Sequence, residues 1–300
     1  MTKASRTASE SGLCGVVAAS LTPRRAGEPV VDLAALLEVV DFLCSAGVNG
    51  IVLFGSTGEF VHFGAADRAR ALSLAVKRSR CPVYANVSHS TLDSAIALAD
   101  EAASAGAEGV LLMPPIYFRY DQETVRQYYL EFLGALHGIL PAYLYNIPAF
   151  STAITVETAA ALIAAGYRGI KDSSGDPEYF SGLVGACGAS GAALLTGSER
   201  LYGRFRGAGA SGIISGVAAA VPELVVAYES ALCGGDEEGI ARLGARVEEF
   251  PAPMIVREAA NLRGLRAGAA AVPLGPGLRC RLEEFRAWFP EWWRGVEGAL

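Results

Sequence analysis

Lys171, within "YRGIKDSSGD" (residues 167–176), stands where a short apolar strand should carry apolar side chains. Lysine is almost never fully buried unless it is paired or has a task. Burial penalises an ammonium ion, and a neutral amine can attack a carbonyl carbon to form a Schiff base. The protonated imine withdraws electrons, so a neighbouring proton or carbon–carbon bond can be lost to leave an enamine. That is the logic of a class I aldolase. It needs a proton relay and an anchor for the substrate as well. "YLYNIP" places Tyr145 at the end of the preceding strand, and adjacent strands lie about 4.8 Å apart, so the two side chains can converge. "GSTGE", residues 55–59, follows the second strand. Its turn can aim backbone N–H groups, and Ser56 and Thr57 add hydroxyls; together they could cradle a carboxylate. Singly, each feature has a plainer reading: a turn, a packed tyrosine, a salt-bridged lysine. In register on one face they are far more specific.

The elements that must position these residues repeat along the chain. Apolar strand-like runs occur at "GVVAASLTP", "GIVLFGS", "PVYANVS", "GVLLMPP", "PAYLYNIP", "GIKDSS", "ALLTGSE" and "GIISGV", with helical stretches between them. Several helices end in Gly, Thr91 and Asp176 are candidate amino-terminal caps, and Pro177 fits a first helical position. Strands alternating with helices imply βαβ units and a parallel sheet. Eight units predict a (β/α)8 TIM barrel with additional C-terminal helices; a doubly wound sheet is the alternative. Residues 1–12 read as a disordered tail, 13–235 as the barrel and 236–300 as a helical extension of the same domain, with two helical segments after the eighth helix. In this fold active sites lie at the C-terminal ends of the strands. This singles out Thr22, the segment after Phe54, Tyr117, Tyr145, Lys171, Gly197 and Ser215.

Other signals narrow the field. The chain is 300 residues long, 52% apolar and 19% charged; its low charged share favours a large buried core. A net charge of −6 argues against nucleic-acid binding, which needs clustered cations. The six cysteines are scattered without a C-x-x-C and read as reduced, mostly buried thiols. Neither a signal-peptide core nor a membrane-length apolar run is evident, so a cytoplasmic location is expected. "GAGASG" (207–212) matches G-x-G-x-x-G but follows a helix and leads into a strand, the wrong context for a dinucleotide. The histidines His62, His89 and His137 lack metal-ligand spacing. "WFPEWW", with all three tryptophans, reads as a terminal helix packed on the barrel or on a partner subunit.

The motifs "SLTP", "GSTGE", "YNIP", "GIKDSSGD" and "GIISG", in this order and spacing, resemble the dihydrodipicolinate synthase and N-acetylneuraminate lyase family of pyruvate-dependent lyases. The resemblance runs from about Gly15 to about Gly216. It implies that Lys171 is the Schiff-base lysine and Tyr145 the proton-shuttling phenol, with Ser56 and Thr57 at the carboxylate and relay positions. It implies that Tyr117 serves a neighbouring subunit's relay, and that Gly197 and Ile214 contact substrate, Ile214 through its carbonyl. It also implies a cofactor-free, metal-free homotetramer, a dimer of dimers acting on pyruvate and an aldehyde. Phe150 departs from the pattern: it occupies the place of the arginine that holds aspartate semialdehyde in the synthases, and an apolar ring cannot replace a guanidinium fork. Ser56 and "YNIPA" lean toward the sugar-acid lyases, yet those carry an Asp-Glu pair where this chain has Ser198-Glu199-Arg200.

The expectation is a Schiff-base-forming class I lyase of 2-keto acids, such as a 2-keto-3-deoxy sugar-acid or neuraminate-type aldolase or dehydratase. An acidic substrate tail could meet Arg200 or a nearby loop arginine. The rivals are a dihydrodipicolinate synthase, a phosphate-binding barrel isomerase and a non-catalytic keto-acid-binding barrel.

Overall fold

Runs of four or five apolar residues become eight parallel strands: β1 (Gly15–Ala19), β2 (Gly50–Leu53), β3 (Val83–Asn86), β4 (Gly109–Leu112), β5 (Ala142–Asn146), β6 (Gly169–Asp172), β7 (Ala193–Thr196) and β8 (Gly212–Ser215). Each pairs with the next, and β8 pairs with β1 to close the barrel. Nearly every strand residue is buried, as expected of strands covered on both faces. The computed structural model describes residues 12–25, 27–251 and 255–300; residues 1–11 of the expected tail lie outside that range.

Eight helices follow the strands in turn: α1 (Leu33–Ser45), α2 (Ala65–Arg78), α3 (Leu92–Ala105), α4 (Gln122–Ala135), α5 (Val156–Ala165), α6 (Pro177–Gly188), α7 (Tyr202–Ala208) and α8 (Pro222–Gly234). The fold is the (β/α)8 barrel, not a doubly wound sheet. Asp32, Asp121, Thr155 and Asp176 cap α1, α4, α5 and α6 by accepting first-turn N–H groups, each contributing about 1 kcal/mol. Pro177 opens α6 as expected. Thr91 occupies the cap position of α3 without capping its backbone; its hydroxyl bonds Ser94 Oγ instead, at 3.0 Å.

Beyond the barrel come three helices rather than the expected two: α9 (Glu237–Glu249), α10 (Val256–Leu262) and α11 (Pro276–Glu297). The extra one is α10, only seven residues long, too short for its apolar periodicity to stand out. The aromatic segment lies in α11 and packs mainly on its helical neighbours: Phe250 meets Phe285 and Trp292. Arg263, just past α10, stacks 3.9 Å from the Trp293 ring centre and pairs with Glu223 of α8. The cysteine expectation needs correcting. Cys81 and Cys187 are buried and Cys44 half-buried, but Cys14, Cys233 and Cys280 are exposed. Cys14 precedes β1, while Cys233 and Cys280 lie on outward faces of α8 and α11, where the apolar thiol has no core to enter.

Candidate active site

Strand register fixes the central pair. Tyr145 on β5 and Lys171 on β6 are direct partners across the sheet, and Lys171 Nζ lies 4.2 Å from the centre of the Tyr145 ring. Both are buried, Lys171 at 4% exposure. Among the described residues the Lys171 side chain has neither an ion-pair nor a hydrogen-bond partner. The next residue on each strand locks the register: Asn146 Nδ2 donates to Asp172 Oδ1 at 2.8 Å, while Asn146 Oδ1 accepts from the Ile154 N–H. Asp172 also accepts from the backbone and hydroxyl of Ser174. Burial pushes the Asp172 carboxyl above its usual range, and these hydrogen bonds oppose the shift.

The turn after β2 meets this pair from across the barrel. Ser56 Oγ is 3.0 Å from Tyr145 Oη, so a proton can pass between the two hydroxyls. Gly58 is required here: a Cβ would stand 2.9 Å from Thr22 Oγ1 and 3.0 Å from the Ser20 carbonyl. Two non-glycine residues at the ends of the turn, Phe54 (φ 60°) and Glu59 (φ 51°), are left-handed, a conformation that costs about 1–3 kcal/mol apiece. Opposing contacts hold them. Asn86 Nδ2 donates to the Phe54 carbonyl at 2.7 Å, and Arg68 of α2 packs over the rings of Phe54 and Phe60. The Glu59 carboxylate pairs with Arg257 of α10.

These groups open into a cavity of about 560 Å³, within the usual size of a small-molecule site. Ser56, Thr57, Lys171, Gly197 and Ile214 line it, as do Phe150 and Arg200 farther out. Gly197 leaves room for the lysine, since a Cβ there would meet Ser173 Oγ at 2.1 Å and Lys171 Cε at 3.1 Å. Ile147, Ala149 and Phe150 form an apolar wall, and Val247, Phe250 and Val256 bring the C-terminal helices to the rim. Phe150 is 61% exposed. Arg200 has no ion-pair partner among the described residues. Glu199 is engaged elsewhere, accepting from Ser215 Oγ at 2.9 Å and the Val217 N–H at 3.0 Å. Tyr117 stands apart from the cavity of its own chain: it is 87% exposed, left-handed at φ 85°, and edge-on to Phe118.

Sequence reasoning therefore named most of the residues that converge and missed those that hold them. Asn146 and Asp172 lay inside quoted motifs, one position from the residues that drew attention. Arg68 and Arg257 carried no local signal, because their partners are remote in sequence. No group of three or more His, Cys, Asp or Glu among the described residues could hold a metal ion. Nor is any described helix long and apolar enough to cross a membrane.

Comparison with known proteins gives the geometry its setting. The chain matches the dihydrodipicolinate synthetase family over residues 12–286. A DapA-like lyase of Halobacterium salinarum is 31% identical over 274 residues, 88% of this chain and 88% of its own length. A 4-hydroxy-tetrahydrodipicolinate synthase of Anaeromyxobacter dehalogenans is 31% identical, covering 91% of this chain and 95% of its own. Among solved structures, the 4-hydroxy-tetrahydrodipicolinate synthase of Methylacidiphilum fumariolicum superposes with a TM-score of 0.84 at 24% identity, over 96% of this chain and 99% of that one. The Escherichia coli protein YagE, solved with pyruvate, gives 0.83 at 24% identity, over 91% and 97%. At that identity the structures speak for the barrel, and the family match speaks for the chemistry's class. This chain belongs to the dihydrodipicolinate synthetase family, and it is a lyase.

Proposed function

We propose that the protein is a cofactor-free class I lyase that forms a Schiff base between Lys171 and pyruvate or a pyruvate-derived 2-keto acid. The observation that carries the reading is the cross-strand pair: a buried amine without a counter-ion, 4.2 Å from a tyrosine ring whose hydroxyl reaches Ser56 at 3.0 Å. The Lys171 amine attacks the C2 carbonyl, and the carbinolamine loses water to give the imine. Tyr145 and Ser56 carry protons to and from the departing oxygen, and Thr57 with the turn's N–H groups receives the carboxylate. Loss of a proton or a carbon–carbon bond beside the imine gives the enamine, and hydrolysis frees the lysine. Pyruvate bound to YagE supports the choice of keto acid by relationship.

The second substrate half is a sugar-acid or similar hydroxylated aldehyde, which Ser173, Ser174 and Ser198 on the cavity wall can hydrogen-bond, with Arg200 facing an acidic tail. Phe150 disfavours aspartate semialdehyde. Losing a charged bidentate contact to a desolvated carboxylate commonly costs about 2–5 kcal/mol. In the same reading two chains face each other so that Tyr117 of one completes the relay of the other, within a tetramer.

The test is incubation with a panel of 2-keto acids and borohydride, read by intact mass and peptide mapping. One reduced pyruvyl group per chain, located in "GIKDSSGD", is expected. No adduct with any keto acid, or one confined to Lys3 or Lys77, overturns the mechanism. Condensation of pyruvate with aspartate semialdehyde as fast as with the best sugar aldehyde overturns the substrate choice.

A further inference from the structure

The turn that carries Ser56 and Thr57 ends in strained backbone that it cannot hold unaided. Phe54 and Glu59 are both left-handed without being glycine, and the hydroxyl that meets Tyr145 lies between them. Glu59 is tied to the relay directly, because its N–H donates to the Ser56 carbonyl at 3.0 Å. Its carboxylate is gripped from outside the barrel by Arg257 of α10, 198 residues later in the chain. Arg257 is not a loose surface partner. Its side chain is only 12% exposed, and it also donates to the Thr22 carbonyl at 3.2 Å and to the Ala267 carbonyl. One planar guanidinium thus joins the loop after β1, the segment after α10 and the far end of the relay turn. A fork with several fixed donors can do this, whereas a single ammonium cannot satisfy all three directions.

We infer that Arg257 is a positioning residue: acting through Glu59, it fixes the Ser56–Thr57 turn so that its hydroxyls meet Tyr145 and the bound keto acid. The C-terminal extension is thereby part of the active site's framework and not only packing for the barrel. The inference rests on the Schiff-base reading for its catalytic consequence, though the turn can be measured without it. Arg257 lines the same cavity, but its hydrogen bonds go to Glu59, Thr22 and Ala267 and not to Lys171, Tyr145 or Ser56, so its loss should spare imine formation at Lys171 and impair the proton-transfer steps. Misplacement of a catalytic group by about 1 Å is enough to lower a rate roughly 10²-fold.

The experiment compares Arg257→Met, Arg257→Lys, Glu59→Gln and the Arg257→Met/Glu59→Gln double variant, all as full chains. Hydrogen exchange of peptides covering residues 55–59 reads the turn with no substrate present. Faster exchange in Arg257→Met is expected, and protection equal to wild type overturns the inference whatever the enzyme turns over. With substrate, Arg257→Met should trap one pyruvyl group per chain, with kcat down by about 10²-fold and KM for pyruvate changed by less than about threefold. Arg257→Lys should recover part of that loss. The double variant should be no slower than the slower single one, because both act on the same contact. Additive losses, or kcat within twofold of wild type in Arg257→Met, overturn it. Failure of the wild-type chain to trap any keto acid sinks the Schiff-base reading alone, and the exchange result still decides the role of Arg257 at the turn.

Discussion

Two basic side chains are buried near the barrel's mouth, and the protein treats them in opposite ways. Arg68 on α2 is 3% exposed and Lys171 on β6 is 4% exposed. Arg68 is tied down at both terminal nitrogens, which donate to the carbonyls of Asn86 at 2.6 Å and Ser88 at 3.2 Å, and two aromatic rings cover it, though its Nε has no hydrogen-bond partner among the described residues. Burial pulls its guanidinium down to about 10, still charged at neutral pH. Lys171 has no such acceptors and opens on a cavity. A buried polar group without partners costs stability, so a fold keeps one where it serves another end. The difference separates a cation used to hold loops from an amine kept free to react.

The sharpest way to break this contrast is Lys171→Ala. Removing an amine that satisfies nothing should abolish borohydride trapping with pyruvate completely while leaving thermal unfolding at the wild-type temperature. Undiminished trapping would remove Lys171 from the covalent step. Tyr145→Phe asks whether the neighbour is merely a packed ring. It should still trap pyruvate, more slowly, with turnover lower by about 10²- to 10⁴-fold, the usual worth of a placed acid–base group. Turnover within threefold of wild type would leave Tyr145 as packing.

Arg68→Met is the mirror experiment. It strips two buried carbonyls of their donors, and an unsatisfied buried group costs about 1–3 kcal/mol. A loss of about 2–4 kcal/mol in urea denaturation is expected on that basis, with trapping at Lys171 retained. A stability equal to wild type would show that the carbonyls find other donors and that Arg68 holds nothing.

The same contrast explains what the sequence disclosed. Lys171 and Tyr145 were legible because strand register converts spacing along the chain into proximity in space: each ends an apolar run, and consecutive strands pair. The eight-fold alternation predicted the barrel for the same reason. Arg68 and Arg257 were not legible, since a long side chain on a helix looks like ordinary solvated charge until its acceptors are known. Arg257 reaches Glu59 across most of the chain, and no periodicity encodes such a contact. The short α10 that carries it was missed as an element for a related reason, having too few turns to show a stripe. Tyr117 is a third case: its motif marked it, yet a single chain leaves it in solvent beside Phe118.

The smallest expected effect concerns Asp172, the charge beside Lys171, and it tests a third way of handling a buried ionisable group. Its carboxyl is 1% exposed, and burial raises its affinity for a proton despite hydrogen bonds from Ser174 and Asn146. A folded-state value above the unfolded one, near 3.9 for aspartate, means that the folded chain binds this proton more tightly. The associated stability is then fully present below about pH 3.9 and is lost as pH rises through the folded-state value. Asp172→Asn should remove that dependence. The new carboxamide oxygen can accept from Asn146 and from the Ser174 N–H, while its NH2 can donate to Ser174 Oγ, so the strand lock survives. Urea midpoints measured from pH 3 to pH 8 should show the variant gaining on wild type as pH rises above about 4, then holding a constant lead. A difference that does not change with pH would mean that the carboxyl is not raised in the folded chain. Pyruvate trapping at Lys171 should be unaltered in this variant, because the register depends on the hydrogen bonds and not on the charge. If trapping fell while the fold held, the Asp172 carboxylate itself would have a part in setting the lysine's reactivity.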